Sequence, residues 1–335
     1  MNSTKPRDGR FDFYKAILML GVVWGHVINS MSCNTLSIPI HTFFRTYDMP
    51  MFMAISGLFF RKSCEKYSAR NLFLDKVTTI LFPSILWSLV LSRFHSIDEY
   101  YFLNAVFISC SIVLLFHFLI KDYKFRIAIL FAFSLVFYFV DYDLDNLSYL
   151  YPFFVMGYSF PNIWNITKKP KILVPIILAF SVCLCFWDTQ YNIWNAGSYL
   201  PSGGGALLLK VAFRMTIAFV GMMSIKWLCD VFYNYLEQNN EKLMSYVLEV
   251  GRESFSIYIF HCFALVAIAY GVAFLNRSLG HNLFTLNENL SGYVIAPITS
   301  VIIIYCVILL VRVLKKNSYL KLVLGFKVKE LKNLK

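Results

Sequence analysis

Residues 11–30 read FDFYKAILMLGVVWGHVINS, and this stretch decides the fold. The ten residues between Lys15 and His26 carry no charge. At 1.5 Å per residue, the run 13–33 is long enough to cross about 30 Å of hydrocarbon. Unpaired backbone is intolerable in lipid, so the run is predicted to be a transmembrane helix. Working outward, nine further apolar runs follow, at about 43–60, 76–92, 101–120, 125–140, 148–161, 171–187, 205–229, 254–275 and 292–314. The reading is an all-α polytopic bundle of about ten transmembrane helices. The sixth run is short and holds Pro152, and 125–140 with 148–161 can also be read as one re-entrant pair.

Composition agrees. Of 335 residues, 58% are hydrophobic and only 15% charged, whereas a soluble domain carries about a quarter charged residues. The balance of 31 Lys and Arg against 19 Asp and Glu gives a net charge of +12. No nucleic-acid partner is needed to explain it, because the cations sort by membrane side. With the N-terminus in the cytoplasm, 26 of the 31 fall on the cytoplasmic side, the groups beginning at Lys5, Arg61, Lys121, Lys168, Lys226 and Arg312. The opposite side receives Arg45, Arg93, Lys210 and Arg277, Arg214 lies inside a run, and the loop with Asp141, Asp143 and Asp145 has no cation and falls outside. This alternation predicts an even span count with both termini cytoplasmic, in a multi-pass protein of the cell membrane (the inner membrane of a bacterium).

Residues 1–314 are read as a single transmembrane domain, and 315–335 as a basic tail on the anionic inner leaflet. The longest loop, about 230–253, has room only for a short surface helix, and no internal repeat is visible. The first run lacks a small-x-small cleavage site and carries Lys15, so no cleavable signal peptide is expected. Eight cysteines show no CxxC pair and no Cys/His spacing suited to a metal, and buried thiols are the expected state.

Polar groups at membrane depth are functional candidates by default. His26 stands about 16 Å above Lys15 on nearly the same helical face. A neutral imidazole suits a general base, although a His hydrogen-bonded between helices is the plainer alternative. The ninth run repeats the arrangement, with Arg252 at its inner edge and His261 about 13 Å above it. The second run carries Asp48-Met49-Pro50, where Pro50 is expected to open the helix, and ends in Ser56-Gly57, a small step suited to close packing. In the eighth run, Lys210 can snorkel, whereas Arg214 is expected to face a cavity or an anionic substrate group. Gly203-Gly204-Gly205 lacks phosphate-loop spacing and is read as a helix-entry loop.

Together these residues resemble the acyltransferase-3 family of integral-membrane acyltransferases, which mostly O-acetylate surface carbohydrates. Asp12, Lys15 and His26 match its first-span pattern, Met49 to Gly57 its second, and Ser254, Tyr258 and His261 its late span. Pro83, Trp87 and the stretch Pro152 to Tyr158 match further landmarks. The chain departs from fucose O-acetylase-like members at Asp48, where they often have His, and in the basic cluster before Pro83, reduced here to Lys76. The resemblance implies an acyl-CoA donor, most often acetyl-CoA, with no metal, and a carbohydrate acceptor that is on the cell surface or lipid-linked. It implies His26 and His261 as catalytic residues and Asp12, Lys15, Arg252 and Lys76 as donor contacts. Ser56, Tyr258 and Arg214 are then the candidate substrate contacts among membrane lipids. The alternative is a transporter of a glycan or small anion with the intramembrane His and Arg lining its path. A sensor or structural membrane protein is a third class, for which no effector domain is visible.

Overall fold

The structure is a computed structural model and describes residues 8–31, 38–93, 101–139, 146–187, 204–280 and 287–325. Among the described residues there is no strand, and each apolar run lies on a helix. These are α1 (Arg10–Ser30), α2 (Pro39–Cys64), α3 (Ala69–Leu91), α4 (Tyr101–Leu119), α5 (Tyr123–Ser134), α6 (Leu147–Ser159), α7 (Pro170–Cys185), α8 (Gly204–Asn239), α10 after an intervening α9 (Glu241–Arg252; Ser254–Leu279), and α11 (Glu288–Leu314). A short α12 (Ser318–Val323) follows, and a 3₁₀ helix (Pro161–Lys168) joins α6 to α7. The acidic loop 141–145, Gly203 and tail residues 326–335 lie outside the described residues.

Among the described residues, six helices are long and apolar enough to cross a membrane: α1, α3, α4, α10, α11 and the Leu209–Asn239 part of α8. The protein is therefore a helical membrane bundle. Helices α5, α6 and α7 have 12, 13 and 16 residues, which at 1.5 Å each fall short of about 30 Å. Helix α2 is long but carries Arg45, Asp48, Arg61 and Lys62. The stretch 230–253, expected as a loop, is instead the end of α8 followed by α9. Asn240 separates the two, its side chain accepting from the Leu243 N–H at 3.0 Å as an N-cap.

Three prolines shape these helices. Two π-turns, Val77–Leu81 and Ser291–Ile295, end just before Pro83 and Pro297. A proline supplies no N–H and crowds the carbonyl four residues back, so the turn ahead of it widens. Pro50 does not open α2 as expected but sits inside it, because the helix begins at Pro39. Pro50 has no N–H to give to the carbonyl of Thr46 four residues before it, and Arg214 Nη1 donates to that oxygen at 3.4 Å.

The described chain divides into two compact units, 1–44 with 224–311 and 45–223 with 312–335. In the first, α1 packs on α9 and α10. Its face Tyr14, Leu18 and Val22 is buried at four-residue spacing. Gly251 lets α9 reach the start of α1: a Cβ there would lie 1.7 Å from the Asp12 carbonyl oxygen. In the second, α2 and α6 meet backbone to backbone through a reciprocal pair of glycines. A Cβ on Gly57 would stand 2.0 Å from the Phe154 oxygen, and one on Gly157 1.9 Å from the Ala54 oxygen. Trp87 of α3 donates to the carbonyl of Val323 at 3.0 Å, which ties α12 to the second unit.

Candidate active site

In the first unit, the regular rise of α1 and α10 carries their histidines to one place. The His26 and His261 rings have centroids 5.3 Å apart, inclined by 57°. Their burial differs. His261 is 1% exposed, whereas His26 is half-buried and reachable. The Nδ1 of His261 lies 3.0 Å from the Ile257 carbonyl oxygen, which can only accept. Nδ1 therefore carries the proton in the neutral ring, and Nε2 presents a lone pair. Tyr258, one turn back in α10, has its ring 5.6 Å from that of His261 and is itself buried.

Two contacts fix the rotation of α1 about this pair. Trp24 donates its Nε1–H to the carbonyl of Gly292 in α11 at 2.8 Å. Gly25, lacking a side chain, leaves room for the buried ring of His41, whose Cδ2 would stand 3.5 Å from a Cβ there. His41 was not singled out by sequence reasoning. A His beside an apolar run has no spacing partner to betray it.

At the other end of α1, Lys15 Nζ pairs with Asp12 Oδ1 at 2.8 Å, with the two side chains 18% and 5% exposed. The close approach of Gly251 to Asp12 brings the neighbouring Arg252 to this same end. Arg252 is exposed, and its Nε donates to the Leu248 carbonyl at 3.1 Å, as suits a cation at a helix C-terminus. At this same end lies a network that the sequence did not announce. Tyr14 donates to Asp230, and Lys226 Nζ pairs with Asp230 Oδ2 at 2.5 Å while only 4% of its side chain is exposed. The one available signal was the four-residue spacing of Lys226 and Asp230, a charge pair on one helical face.

The remaining expected site residues belong to the second unit. Ser56 is half-buried beside Gly57 at the α2–α6 crossing. Lys76 pairs with Asp75 at 3.5 Å on α3. Arg214 is 2% exposed, with its guanidinium 4.3 Å from the Tyr149 ring centroid and 5.0 Å from that of Trp187. Its Nη2 donates to the Arg45 carbonyl at 2.6 Å and its Nη1 to that of Thr46 at 3.4 Å. Asp48 accepts from the Met49 N–H at 2.6 Å, within the field of Arg45 and Arg214. Among the described residues, no group of three or more His, Cys, Asp or Glu is arranged to hold a metal ion.

The chemistry this arrangement offers is proton transfer at an accessible imidazole backed by a second one, with paired charges at the far end of the same helix. Nodulation protein NolL of Sinorhizobium fredii (strain NBRC 101917 / NGR234) is 25% identical over 224 residues, covering 58% of this chain and 59% of that protein. Nodulation protein NolL of Mesorhizobium japonicum (strain LMG 29417 / CECT 9101 / MAFF 303099) is 25% identical over 225 residues, covering 57% and 60%. The match thus spans less than two thirds of either relative's length. No solved structure matches the chain. The family model described as an acyltransferase domain matches residues 8–314, nearly the whole chain, and on that match the chain belongs to the acyltransferase-3 family.

Proposed function

We propose that the protein transfers an acyl group, most often acetyl, from acyl-CoA to a hydroxyl of a cell-surface or lipid-linked carbohydrate. The observation that carries this reading is the pairing of half-buried His26 with buried His261 on the helix whose other end holds Asp12 and Lys15. Neutral His26 takes the proton of the acceptor hydroxyl as the oxygen attacks the thioester carbonyl. The carbon–sulfur bond breaks, and the departing CoA sulfur takes the proton back from the imidazolium. His261, its Nδ1–H held by Ile257 and its ring against that of His26, serves as a second base through Nε2.

The donor's phosphates meet Lys15, Arg252 and Lys76 as charge-assisted contacts, and Asp12 orients Lys15. The rise of about 16 Å from Lys15 to His26 is a distance that an extended pantetheine arm covers. Tyr258 and Ser56 supply hydroxyl donors to substrate oxygens. Arg214 enters as a positioning residue that holds the proline break of α2, since its Nη1 and Nη2 already bond backbone carbonyls. The ten-span topology, with both termini and the donor side cytoplasmic, a single domain over 1–314 and an interfacial tail at 315–335, completes the proposal.

The test is consumption of radiolabelled acetyl-CoA by the purified chain, wild type against His26→Ala. Turnover lost in a folded variant is the expected result. Turnover in both moves the base to another residue, and its absence in both, across several acyl donors with a mixed glycan extract, overturns the enzyme reading in favour of transport.

A further inference from the structure

At one end of the second unit, where α2 and α6 end and α5 begins, lies an open cavity of about 610 Å³. Arg61, Tyr123, Phe160, Asn162, Ile163 and Ile166 line it. Its polar wall carries one charged side chain, Arg61. Arg61 Nε pairs with Glu65 Oε1 at 3.1 Å, while Nη1 donates to the Tyr123 hydroxyl at 3.0 Å and lies 3.4 Å from the carbonyl oxygens of Tyr158 and Ser159. Among the described residues, none of the Arg61 bonds involves Nη2, which leaves that nitrogen's hydrogens for a ligand. Arg126 shares the same aromatic ring, the two guanidinium carbons lying 5.4 and 5.5 Å from the Tyr123 centroid. Exposed Lys121, Lys124, Lys168 and Lys169 flank the lining segments in sequence. Of the nearby acids, Glu65 is engaged with Arg61, and Asp122 caps α5 by accepting from the Phe125 N–H at 2.6 Å.

The rest of the lining is apolar. Phe160 is 45% exposed, and Ile163 and Ile166 are half-buried on the 3₁₀ helix. A cationic wall facing an apolar one, at helix ends crowded with lysine, is the chemistry of the membrane–water boundary. A guanidinium already fixed through Nε and Nη1 presents Nη2 as a ready donor to a phosphate oxygen. We propose that this cavity binds the headgroup phosphate of an anionic phospholipid, the phosphate on Arg61 Nη2 and the glycerol and first methylenes against Phe160, Ile163 and Ile166. The chains beyond remain in the bilayer, since the cavity is open. The proposal does not depend on the acyltransferase reading.

The experiment uses the full chain in maltoside detergent, titrated with dihexanoyl-phosphatidylglycerol or dihexanoyl-phosphatidylcholine and read by native mass spectrometry. Wild type is expected to bind the anionic lipid about tenfold more tightly, from two guanidiniums acting at the boundary. Arg61→Gln should abolish the preference, but Arg61 also holds the end of α6. Asn162→Asp therefore carries the decision: Asn162 is exposed, lines the cavity, and takes an added charge without loss of a packing contact. It is expected to weaken phosphatidylglycerol about fivefold and leave phosphatidylcholine unchanged. Equal affinity for the two lipids in wild type, or an unchanged preference in Asn162→Asp, overturns the proposal. So does displacement of phosphatidylglycerol by adenosine 3′,5′-bisphosphate at lower concentration, which would make this a site for a soluble phosphate ligand.

Discussion

The two units of this protein use membrane-embedded polar residues in opposite ways. In the first, polar side chains meet one another between helices: His26 with His261, and Tyr14 and Lys226 with Asp230. In the second, the most buried cation serves the backbone. Arg214 bonds the carbonyls of Arg45 and Thr46, and the crossing of α2 and α6 rests on two glycines whose positions no Cβ could share. Groups that face each other keep exchangeable protons and lone pairs, whereas groups that cap carbonyls or fill crossings do not. On this contrast the proposed proton transfer belongs to the first unit, while the second supplies a rigid frame along with the proposed contacts of Lys76 and Ser56.

The harshest challenge to that division is Gly157→Val. The new side chain would begin 1.9 Å from the Ala54 oxygen, a backbone atom that cannot rotate away. We expect a loss beyond about 5 kcal/mol, seen as aggregation in fluorescence-detected size exclusion, because a clash with a fixed backbone belongs among the severest single-residue effects. A folded, active Gly157→Val would show that the crossing is not the frame of the second unit. Next comes His26→Ala, expected to lower kcat by about 10²–10⁴ while thermal unfolding stays that of wild type. Destabilisation in proportion to lost activity would instead make His26 a packing residue and erase the contrast.

Arg214→Gln should cost about 2 kcal/mol, since hydrogen bonds from a charged donor are worth about 1.5–3 kcal/mol and the Thr46 carbonyl would lose its donor beside Pro50. Activity per folded molecule should be unchanged, measured by acetyl-CoA consumption against a unfolding-corrected concentration. A raised acceptor KM at wild-type stability would restore the expectation that Arg214 touches an anionic substrate. The sequence made helix positions legible because a bilayer imposes length and apolarity together, and His26 and His261 were legible because each stands at a countable rise above an edge cation. Pro50 misled, because a proline reads as a helix start unless the residue that bonds the carbonyl four places before it is known, and Arg214 is 168 residues away from Thr46 in the chain. Lys226 and Asp230 were masked for a related reason. Where α8 leaves the apolar run its charges read as solvated loop, and only the helix continuing to Asn239 makes them a buried pair.

The smallest expected effect is also the sharpest test of the first unit. Trp24 stands two residues before His26, and its Nε1–H reaches the Gly292 carbonyl at 2.8 Å. Trp24→Phe keeps an aromatic ring near Phe44, whose centroid lies 5.1 Å from that of Trp24, and removes only the donor. Stability should fall by about 1 kcal/mol, the net worth of one hydrogen bond. If that bond sets the rotation of α1, a slight turn of the helix displaces the His26 ring from its place against His261, and kcat should fall several-fold further than the folded fraction does. An unchanged kcat at lower stability would reduce Trp24 to a strut. The first unit would then be held together on the same terms as the second, with the His26–His261 pair set by packing rather than by the Trp24 hydrogen bond.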